Sequence, residues 1–372
     1  MALTYILPMR PNLEARNKDG LTPLHVAISQ AERLESTRNV RVLLLRGADR
    51  DAKDNEGRKP VDVIPDSMPP HMDRELRTFL GKQSYCECLM FRSPMVPLKR
   101  NHRTQALFLT LFAIVFVLNF LIINPPMQYY GRLIQYLSVG TTAFVLLTFF
   151  YASCKSAGVV KRDKNKDFLT LLRDVNPADL CPECQVIRTA RSRHCPICNV
   201  CVDRFDHHCP WINNCVGFWN RKFFLLLLVY VLIISYLTAV TMAWEFYEAI
   251  KWGVHSGGVG VSQASFDEKL YHNVWVMVAF VMDVTVGVLM TAFLKFHIML
   301  ASENKTTIEN LDKLGKPFKS IYDVGLRENW RQIFGTNPWL YAFPVFCGSG
   351  KPVGDGIYWQ TIQSQQEMAQ RQ

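Results

Sequence analysis

Three long windows without a charged residue constrain this chain more than any other feature. No Lys, Arg, Asp or Glu occurs between Arg103 and Arg132, between Arg132 and Lys155, or between Lys222 and Glu245. A helix needs roughly 20 residues to cross the hydrocarbon core of a bilayer. Each window is long enough, and buried helices of a large soluble core would rarely supply so many of this length. The chain is therefore predicted to be an α-helical membrane protein.

Four transmembrane helices are predicted from uncharged or nearly uncharged runs of this length. They are Ala106–Ile123, Leu133–Ser153, Phe223–Trp244 and Val274–Leu300. The fourth run contains one acid, Asp283, and intramembrane acids are costly and usually face a partner or water. A functional role and a polar contact between helices are equally compatible with its position.

The charge distribution predicts how these helices are oriented. The chain has 42 Lys and Arg residues against 32 Asp and Glu residues, a formal net charge of +10. Basic residues precede the first predicted span and fill the stretch 155–222, whereas the loop 245–273 balances acids against bases. The positive-inside rule then places the N-terminus, the cysteine-rich middle and the C-terminal tail in the cytosol. We expect a multi-pass protein of the endomembrane system (Golgi, endoplasmic reticulum or plasma membrane), whose charge reflects topology and not nucleic-acid binding.

A partial repeat precedes the membrane windows. The turn glycine recurs from Gly20 to Gly57, and the proline that begins a helix recurs from Pro23 to Pro60. Thr22 can cap a helix whose first residue is proline, because that position needs no backbone N–H donor. The pattern resembles an ankyrin repeat, whose period is about 33 residues. The spacing here is a few residues longer, which predicts a small insertion at residues 30–38, between the two helices of the repeat.

Only one copy of this ankyrin-like repeat is complete. Gly47 can end its second helix in a left-handed conformation, as expected for a helix C-terminus. About three repeats are needed to bury a continuous core. The segment is therefore either a docking surface for partner proteins or a degenerate remnant, and docking is the favoured interpretation.

Metal-binding residue types crowd the middle of the chain. Seven of the 11 cysteines lie between Cys181 and Cys215, together with three histidines. Two thiolates separated by two residues are the natural bite for tetrahedral zinc, and a cytosolic location disfavours disulfides. Two closed zinc sites would use eight of these ten candidate ligands. The spacing alone does not identify the two that are left over.

Four consecutive residues suggest which two ligands are spare. Asp206, His207, His208 and Cys209 place a carboxylate, imidazoles and a thiol within one short turn. An imidazole that takes the thiol proton, itself oriented by a carboxylate, is the usual arrangement for an activated nucleophile. If His207 and Cys209 are the spare pair, the other eight ligands close both zinc sites. The alternative is a membrane-anchored zinc-binding scaffold or adaptor without catalysis, in which Asp206 and His207 are bystanders.

The cluster and the residues after it resemble the cysteine-rich domain of DHHC protein S-acyltransferases, the palmitoyltransferases. The resemblance covers about fifty residues without a gap and lies between the second and third predicted spans, as in that family. Its motif continues through Pro210-Trp211, Asn213-Asn214-Cys215-Val216-Gly217, Asn220 and Phe224. The resemblance implies that Cys209 accepts the acyl group, that His207 is its general base and that Asp206 orients His207.

The resemblance also implies the cofactors and the reaction. One structural zinc ion is held by Cys181, Cys184, His194 and Cys201, and a second by Cys195, Cys198, His208 and Cys215. A long-chain acyl group, palmitoyl foremost, moves from acyl-CoA to Cys209 and then to a membrane-proximal cysteine of a protein substrate. Acyl-CoA, protein substrates and the lipid bilayer are the partners that this implies.

Two motifs after the last predicted span also match the family. Thr306, Thr307 and Glu309 fit its Thr-Thr-x-Glu motif, and Asn329 fits a C-terminal motif with an essential Asn. Both are expected to support the active site. In place of the family's Asp-Pro-Gly after the second span, the chain has Ser-Ala-Gly at residues 156–158, which leaves the packing of this turn open.

Two regions are expected to contact the acyl donor. Arg188 and Arg191 are predicted to bind the CoA phosphates, because guanidinium groups pair well with phosphate. The competing explanation is topological, since basic residues flank cytosolic membrane ends in any case. The stretch Phe223–Tyr236 is expected to line the acyl cavity, with side-chain bulk at its closed end setting chain length. Ordinary helix packing is the alternative for any single residue there.

Together these features divide the chain into six segments. They are a partial ankyrin-repeat segment at 1–82, a juxtamembrane linker at 83–105, spans 1 and 2 at 106–154, a cytosolic zinc domain at 155–222, spans 3 and 4 with a lumenal loop at 223–300, and a cytosolic tail at 301–372.

Overall fold

The computed structural model describes residues 3, 6–9, 11–81, 100–123, 130–163, 165–256, 263–312 and 318–364 of the chain. The chain divides into two compact units, Met1–Lys99 and Arg100–Gln372. The first is built from short helices, and the second contains the long apolar helices and the cysteine-rich segment.

The first unit follows the predicted ankyrin-like pattern through its first two helices. Its α-helices are α1 (Pro23–Ser29), α2 (Arg38–Leu45) and α3 (Pro70–Leu80), with 3-10 helices at Leu7–Met9 and Pro60–Val63. Pro23 is the first residue of α1, and the backbone N–H of Thr22 donates to His25 Nδ1 at 3.2 Å. Gly47 has φ +91° and its amide donates to the Leu44 carbonyl at 2.9 Å, which ends α2 in the left-handed conformation predicted for it.

At Pro60, where the second copy of the repeat begins, the chain forms only a short helix. Pro60 begins a 3-10 helix of 4 residues that stops before Ile64, whose backbone is extended. Pro65 explains the stop, because the residue before a proline is pushed out of the helical region. The core of the unit is completed by α3, which buries Met72, Leu76 and other apolar residues in one cluster with α1 and α2. A helix outside the repeat thus covers part of the face that another repeat would cover.

The second unit contains seven α-helices in its described residues. They are α4 (His102–Ile123), α5 (Tyr130–Cys154), α6 (Phe168–Asp174), α7 (Arg221–Ser256), α8 (Gln263–Ser302), α9 (Thr307–Leu311) and α10 (Leu326–Phe334). Helix α7 packs against both α5 and α8. Its first two turns, Phe223–Leu228, are buried on every side, because α5, α8 and the tail surround them.

Three helices are long and apolar enough to cross a membrane, by length and composition, within the part of the chain that the structure describes. They are Tyr136–Cys154, Arg221–Trp244 and Val274–Ser302. Much of their apolar surface faces outward, as in Val240 and Leu289, which are 66% and 61% exposed. Outward apolar surface of this extent fits contact with lipid. The first predicted span coincides with α4, several of whose side chains lie outside the described residues, so a fourth span stays a prediction.

Three short antiparallel hairpins form the cysteine-rich segment. Strand β1 (Leu180–Cys181) pairs with β2 (Val186–Ile187), β3 (Arg193–Cys195) with β4 (Val200–Val202), and β5 (His207–Cys209) with β6 (Asn214–Val216). An isolated two-stranded hairpin is marginally stable at best in water. The segment therefore needs cross-links between hairpins, and metal ligation is a source of such folding energy.

The turn after α5 packs on this segment through a glycine. Gly158 has φ +107°, and its carbonyl accepts a hydrogen bond from the Asp203 amide at 2.7 Å. A Cβ at this position would lie 3.1 Å from the Trp219 ring. The Ser-Ala-Gly sequence thus keeps the residue whose backbone conformation and small size this contact requires.

A buried lysine organises the tail beside the helices. The Nζ of Lys222 lies 2.9–3.4 Å from four backbone carbonyls, those of Phe334, Leu340, Val345 and Gly350, which share its three N–H donors. The part of the tail between Leu340 and Val345 runs along α5 and α7. The Tyr230 hydroxyl of α7 donates to the Ala342 carbonyl, and the ring of Phe144 of α5 lies 6.2 Å from that of Phe343. Tyr230 is eight residues beyond Lys222, about 12 Å along the helix. Irregular backbone next to apolar helices needs partners from the protein, and Lys222 supplies them.

We expect Lys222→Met to destabilise the second unit strongly. The substitution leaves four carbonyls without their donor, and each unsatisfied buried group costs about 1–3 kcal/mol. Thermal unfolding in detergent, followed by tryptophan fluorescence, should show a large fall in the midpoint. The control is Lys319→Met, which removes the same charge from an exposed position. Equal midpoints for the two variants would contradict this role of Lys222.

Candidate active site and metal centres

The three hairpins repeat one local design at a spacing of fourteen residues. Each tip begins with Cys-Pro, at Cys181, Cys195 and Cys209, and each is closed by a residue in the left-handed region. These residues are Gln185, Asn199 and Asn213, with φ +53°, +54° and +48°. Asn tolerates this conformation better than most residues, because its side chain can hydrogen-bond locally. The sequence analysis missed this repeat, although the spacing of the Cys-Pro pairs could have revealed it.

Each metal site is shared between two consecutive hairpins. The first tip supplies Cys181 and Cys184, and the second hairpin supplies the cross-strand pair His194 and Cys201. The second tip supplies Cys195 and Cys198, and the third hairpin supplies the cross-strand pair His208 and Cys215. In both groups the ligand atoms lie within 4.8 Å of one another. The structure therefore brings together both sets that the resemblance implied.

The donor atoms of both groups fit a structural zinc ion. Cys184 Sγ lies 3.2 Å from His194 Nδ1, and Cys198 Sγ lies 3.3 Å from His208 Nδ1. Three sulfur atoms and one imidazole nitrogen at such separations suit tetrahedral zinc. The nine described cysteines form no disulfide, so the thiols remain available as ligands.

The third hairpin tip is not part of either metal group. Ile212 occupies the position that Cys184 and Cys198 hold in the other two tips. Its side chain is buried, with 1% of its surface exposed, and packs in one apolar cluster with Cys209 and Phe224. Cys209 thus has the hairpin position of a metal ligand but, among the residues that the structure describes, belongs to neither group of candidate ligands. Its thiol is left for chemistry.

Strand alternation separates the two adjacent histidines. His207 and Cys209 are two residues apart in β5, so they share one face, and His208 points to the other face. His208 faces the second metal group, whereas His207 Nδ1 lies 2.7 Å from Asp206 Oδ2 and Cys209 is near enough to raise the pKa of the ring. The structure therefore brings together the carboxylate, the imidazole and the thiol that the sequence singled out.

A buried carboxylate holds this group in place. Asp206 accepts hydrogen bonds from the Thr307 amide at 3.0 Å and the Thr307 hydroxyl at 2.8 Å, and Arg221 lies 3.7 Å away. Burial alone would raise the pKa of Asp206, but the charge of Arg221 and the hydrogen bond with His207 outweigh burial and lower that pKa far below its usual value. Asp206 is therefore a fixed negative charge that orients His207.

His207 is prepared to hold a proton. Burial works to lower its pKa, but the hydrogen bonds to Asp206 and to Cys209 outweigh it and raise the pKa of His207 to about 9. With Nδ1 bonded to Asp206, Nε2 remains for the thiol. A cysteine beside such an imidazole can transfer its proton and become a thiolate, which is the nucleophilic form.

The Thr-Thr-x-Glu motif connects the end of α8 to the hairpins. Thr306 and Glu309 form a capping box at the start of α9, with Thr306 N donating to Glu309 Oε2 at 2.9 Å. Glu309 also accepts two hydrogen bonds from Arg191, at 2.8 and 2.7 Å. Arg191 precedes β3, so this bidentate ion pair joins the tail to the metal-binding hairpins.

The surroundings of Arg188 and Arg191 do not match those expected for residues that bind CoA phosphates. The side chain of Arg191 is 0% exposed and is consumed by Glu309 and Asn304, so it is not presented for an external phosphate. Its exposure could not be read from the sequence, because Glu309 is more than a hundred residues away. Arg188 is half-buried and donates to the Ala178 carbonyl.

Two buried asparagines fix the backbone after α8. Asn329 Nδ2 donates to the Ser302 carbonyl and to Asp323 Oδ1, both at 2.7 Å. Asn304, which the sequence analysis missed, has φ +47° and accepts from Arg191 and Arg204. The signal available in the sequence was the position of Asn304 two residues before Thr306, the first residue of the Thr-Thr-x-Glu motif. Both residues hold the motif that contacts Asp206.

Fold and site together define a class of membrane-helix protein in which a cysteine–histidine module has two candidate metal sites and one cysteine, Cys209, outside both. Residues 174–314 match the family model described as DHHC palmitoyltransferase, and residues 19–55 match the ankyrin repeat. The chain therefore carries a DHHC palmitoyltransferase domain and an ankyrin repeat, which confirms the family resemblance seen in the sequence.

Curated relatives carry the same family name. Palmitoyltransferase ZDHHC15A of Danio rerio is 35% identical over 173 residues, which are 46% of this chain and 49% of that protein. Palmitoyltransferase ZDHHC20 of Homo sapiens is 32% identical over 185 residues, 49% of this chain and 46% of that protein. Probable protein S-acyltransferase 13 of Arabidopsis thaliana is 33% identical over 171 residues, 46% of this chain and 53% of that protein. The chain spans about half the length of the curated relatives it matches.

We expect Cys184→Ser to remove one metal ion and lower stability together, because structural zinc contributes folding energy directly. Zinc per chain, measured by inductively coupled plasma mass spectrometry, should fall from about two to about one, with an earlier thermal midpoint. Cys209→Ser is the matched control, since it changes the equivalent thiol of an unligated tip and should keep both ions. An unchanged zinc content in Cys184→Ser would contradict the ligand assignment.

We expect Glu309→Gln to lower the free energy of unfolding by about 3 kcal/mol, because it leaves the buried Arg191 guanidinium without its counter-ion. The control is Asp312→Asn, which breaks the ion pair with Arg193; both of its side chains are 52% exposed. An exposed pair contributes about 0–1 kcal/mol. Thermal unfolding of the two variants should differ clearly, and similar midpoints would show that Arg191 does not depend on Glu309.

Proposed function

We propose that this chain is a protein S-acyltransferase that carries a long-chain acyl group on Cys209. The observation that carries the proposal is the position of this thiol: it is outside both metal groups, yet on the same face of β5 as His207, which Asp206 orients. A structural zinc module has no need for such a group. The names of the relatives point to the same activity.

The reaction has two transfers that balance through one proton. The Cys209 thiol gives its proton to His207, and the thiolate attacks the carbonyl carbon of the acyl-CoA thioester. The bond from that carbon to the CoA sulfur breaks, and the departing CoA thiolate takes the proton from His207. In the second transfer a substrate cysteine gives its proton to His207 and attacks the acyl-enzyme. The bond to Cys209 breaks, and Cys209 regains the proton.

The proposed metal ions are two structural zinc ions, each with four protein ligands. A closed four-ligand site has no open position for substrate, so the zinc ions would supply rigidity rather than Lewis-acid chemistry. The first is assigned to Cys181, Cys184, His194 and Cys201, and the second to Cys195, Cys198, His208 and Cys215. Rigid hairpins would hold His207 and Cys209 in a fixed arrangement on one face of β5.

The apolar surroundings of Cys209 support a long acyl chain as the transferred group. Cys209 belongs to one buried apolar cluster with Phe223–Leu228 of α7, Phe149 of α5 and Leu294 of α8. Each CH₂ of an acyl chain gains about 0.8 kcal/mol on burial. We assign the acyl cavity to the start of α7, within Phe223–Tyr236, as the sequence predicts, and the acyl donor to acyl-CoA, palmitoyl-CoA foremost.

The proposed topology has four spans, with α4 as the first. The hairpins and both termini lie in the cytosol, in agreement with the basic residues that precede α4 and fill 155–222. This places Cys209 at the membrane surface where acyl-CoA and membrane-proximal protein cysteines meet. The ankyrin repeat supports docking of protein substrates. Arg188 stays the proposed contact for CoA phosphate, while Arg191 is assigned to the tail instead.

The deciding experiment is labelling of the full chain with a clickable fatty acid, read as a hydroxylamine-sensitive thioester. Label should be present in the wild type, absent from Cys209→Ser, and retained in Cys347→Ser, which removes an exposed thiol outside both metal groups. Zinc content should be equal in all three. Label that persists without Cys209, in protein that keeps its zinc, would favour the non-catalytic scaffold.

A further inference from the structure

A second histidine lies beside the reacting residues and has no role in the mechanism above. His297 of α8 is 2% exposed, and its ring centroid is 5.8 Å from that of His207. Phe224 contacts both rings, at 5.1 Å from His207 and 5.0 Å from His297. The two imidazoles and the Phe224 ring therefore form one group of mutually contacting rings.

The helix face that carries His297 belongs to the same buried apolar cluster as Cys209. Leu294 and Ala301, three residues before and four residues after His297, belong to the buried apolar cluster that contains Cys209. Residues at these spacings share one face of a helix. An acyl group attached to Cys209 would therefore lie against the face from which His297 projects.

His297 keeps one polar atom unsatisfied in this apolar space. Within the part of the chain that the structure describes, its Nδ1 is buried and has no hydrogen-bond partner. Buried polar groups are nearly always paired, and an unpaired one costs about 1–3 kcal/mol. Two further phenylalanine rings contact it, with Phe293 at 4.7 Å and Phe296 at 5.3 Å between ring centroids, while Asp206 and Arg221 are near enough to act on the imidazole electrostatically. A phenylalanine would fill this position without that cost, so packing alone does not account for an imidazole.

We propose that His297 is a further catalytic residue, which donates a hydrogen bond to the thioester carbonyl oxygen of the acyl group at Cys209. The inference rests on the proposed acyltransferase function. When a thiolate attacks a thioester, the carbonyl oxygen becomes an oxyanion until the bond to the leaving sulfur breaks. A donor held beside that oxygen in a dry site stabilises the transition state without having to reorganise. The same oxygen develops charge in both transfers, so one donor serves acylation and deacylation.

In this proposal His207 and His297 have different roles. His207 is committed to Asp206 through Nδ1 and moves the proton of the attacking or departing thiol. His297 takes no proton from the thiol and gives none to the leaving group; it only donates a hydrogen bond. Removing His297 should therefore slow both transfers while Cys209, His207 and the metal groups stay in place.

The test measures single-turnover acyl-enzyme formation on the detergent-solubilised full chain with palmitoyl-CoA, for His297→Phe and His297→Gln. His297→Phe should lower the rate about 100-fold, the usual effect of losing one oxyanion donor, with zinc content unchanged. His297→Gln should recover much of the loss because its amide can donate. Transfer of the acyl group from Cys209 to a cysteine peptide should slow to a similar extent, with hydroxylamine sensitivity used to verify that the product is a thioester. Phe293→Leu, which alters the same ring cluster without removing an imidazole, should stay near the wild-type rate.

A packing role predicts the opposite order, with His297→Phe active and His297→Gln impaired, and that result would overturn the inference. If His297→Phe does not fold, as judged by its thermal midpoint, His297→Met is the second apolar variant and the same comparison with Gln applies. A wild-type protein that forms no acyl-enzyme on Cys209 would overturn the proposed function and this inference with it. An acylating wild type with a fully active apolar variant would overturn the inference alone.

Discussion

The sharing of each metal site between two consecutive hairpins is the constraint on which the rest of this structure depends. A tip gives two cysteines, and the next hairpin gives a histidine and a cysteine from paired strands, His194 with Cys201 and His208 with Cys215. Such a chain of linked hairpins must end in a tip with no following hairpin to complete it. In this protein the last tip contains Cys209, and Ile212 has replaced the second thiol. Cys209, the proposed acyl carrier, is thus placed with the rigidity of a metal ligand while its sulfur lies outside both metal groups.

The module is joined to the membrane helices by charges that are buried but paired. Asp206 lies between Arg221 at the start of α7 and Thr307 at the start of α9, and Arg191 is paired with Glu309. A buried charge without a partner is expensive, so each pair can form only when the hairpins, α7 and the segment after α8 all reach their native positions. The pairs contribute little net stability compared with apolar packing. Their effect is to exclude arrangements in which His207 and Cys209 would be oriented differently relative to the helices.

The sequence allows the helices and the metal ligands to be predicted, because both depend on local patterns. Charge-free windows mark two of the three candidate spans, a long apolar run interrupted only by Asp283 and Lys295 marks the third, and Cys-x-x-Cys spacing marks the ligands. The consecutive Asp206, His207 and Cys209 are likewise readable, since strand alternation puts them into contact. The contacts of Lys222, Arg191 and His297 could not be predicted. Their partners lie between 73 and more than a hundred residues away in the chain, and burial of a long cationic side chain depends on tertiary packing that no local pattern encodes.

The location of the thiol at the boundary between two environments explains why the fold combines these parts. On one side of Cys209 are the polar hairpins, where Asp206 and the metal groups would fix the geometry of the proposed proton transfer. On the other side is the apolar start of α7, with Phe223 and Phe224 fully buried among α5, α8 and the tail. A long-chain thioester has the same division, with an apolar chain and a polar reacting carbon. Only a group held at the junction can bind the chain in a dry cavity and still present the carbonyl to a thiolate, since either environment alone would exclude half of that substrate.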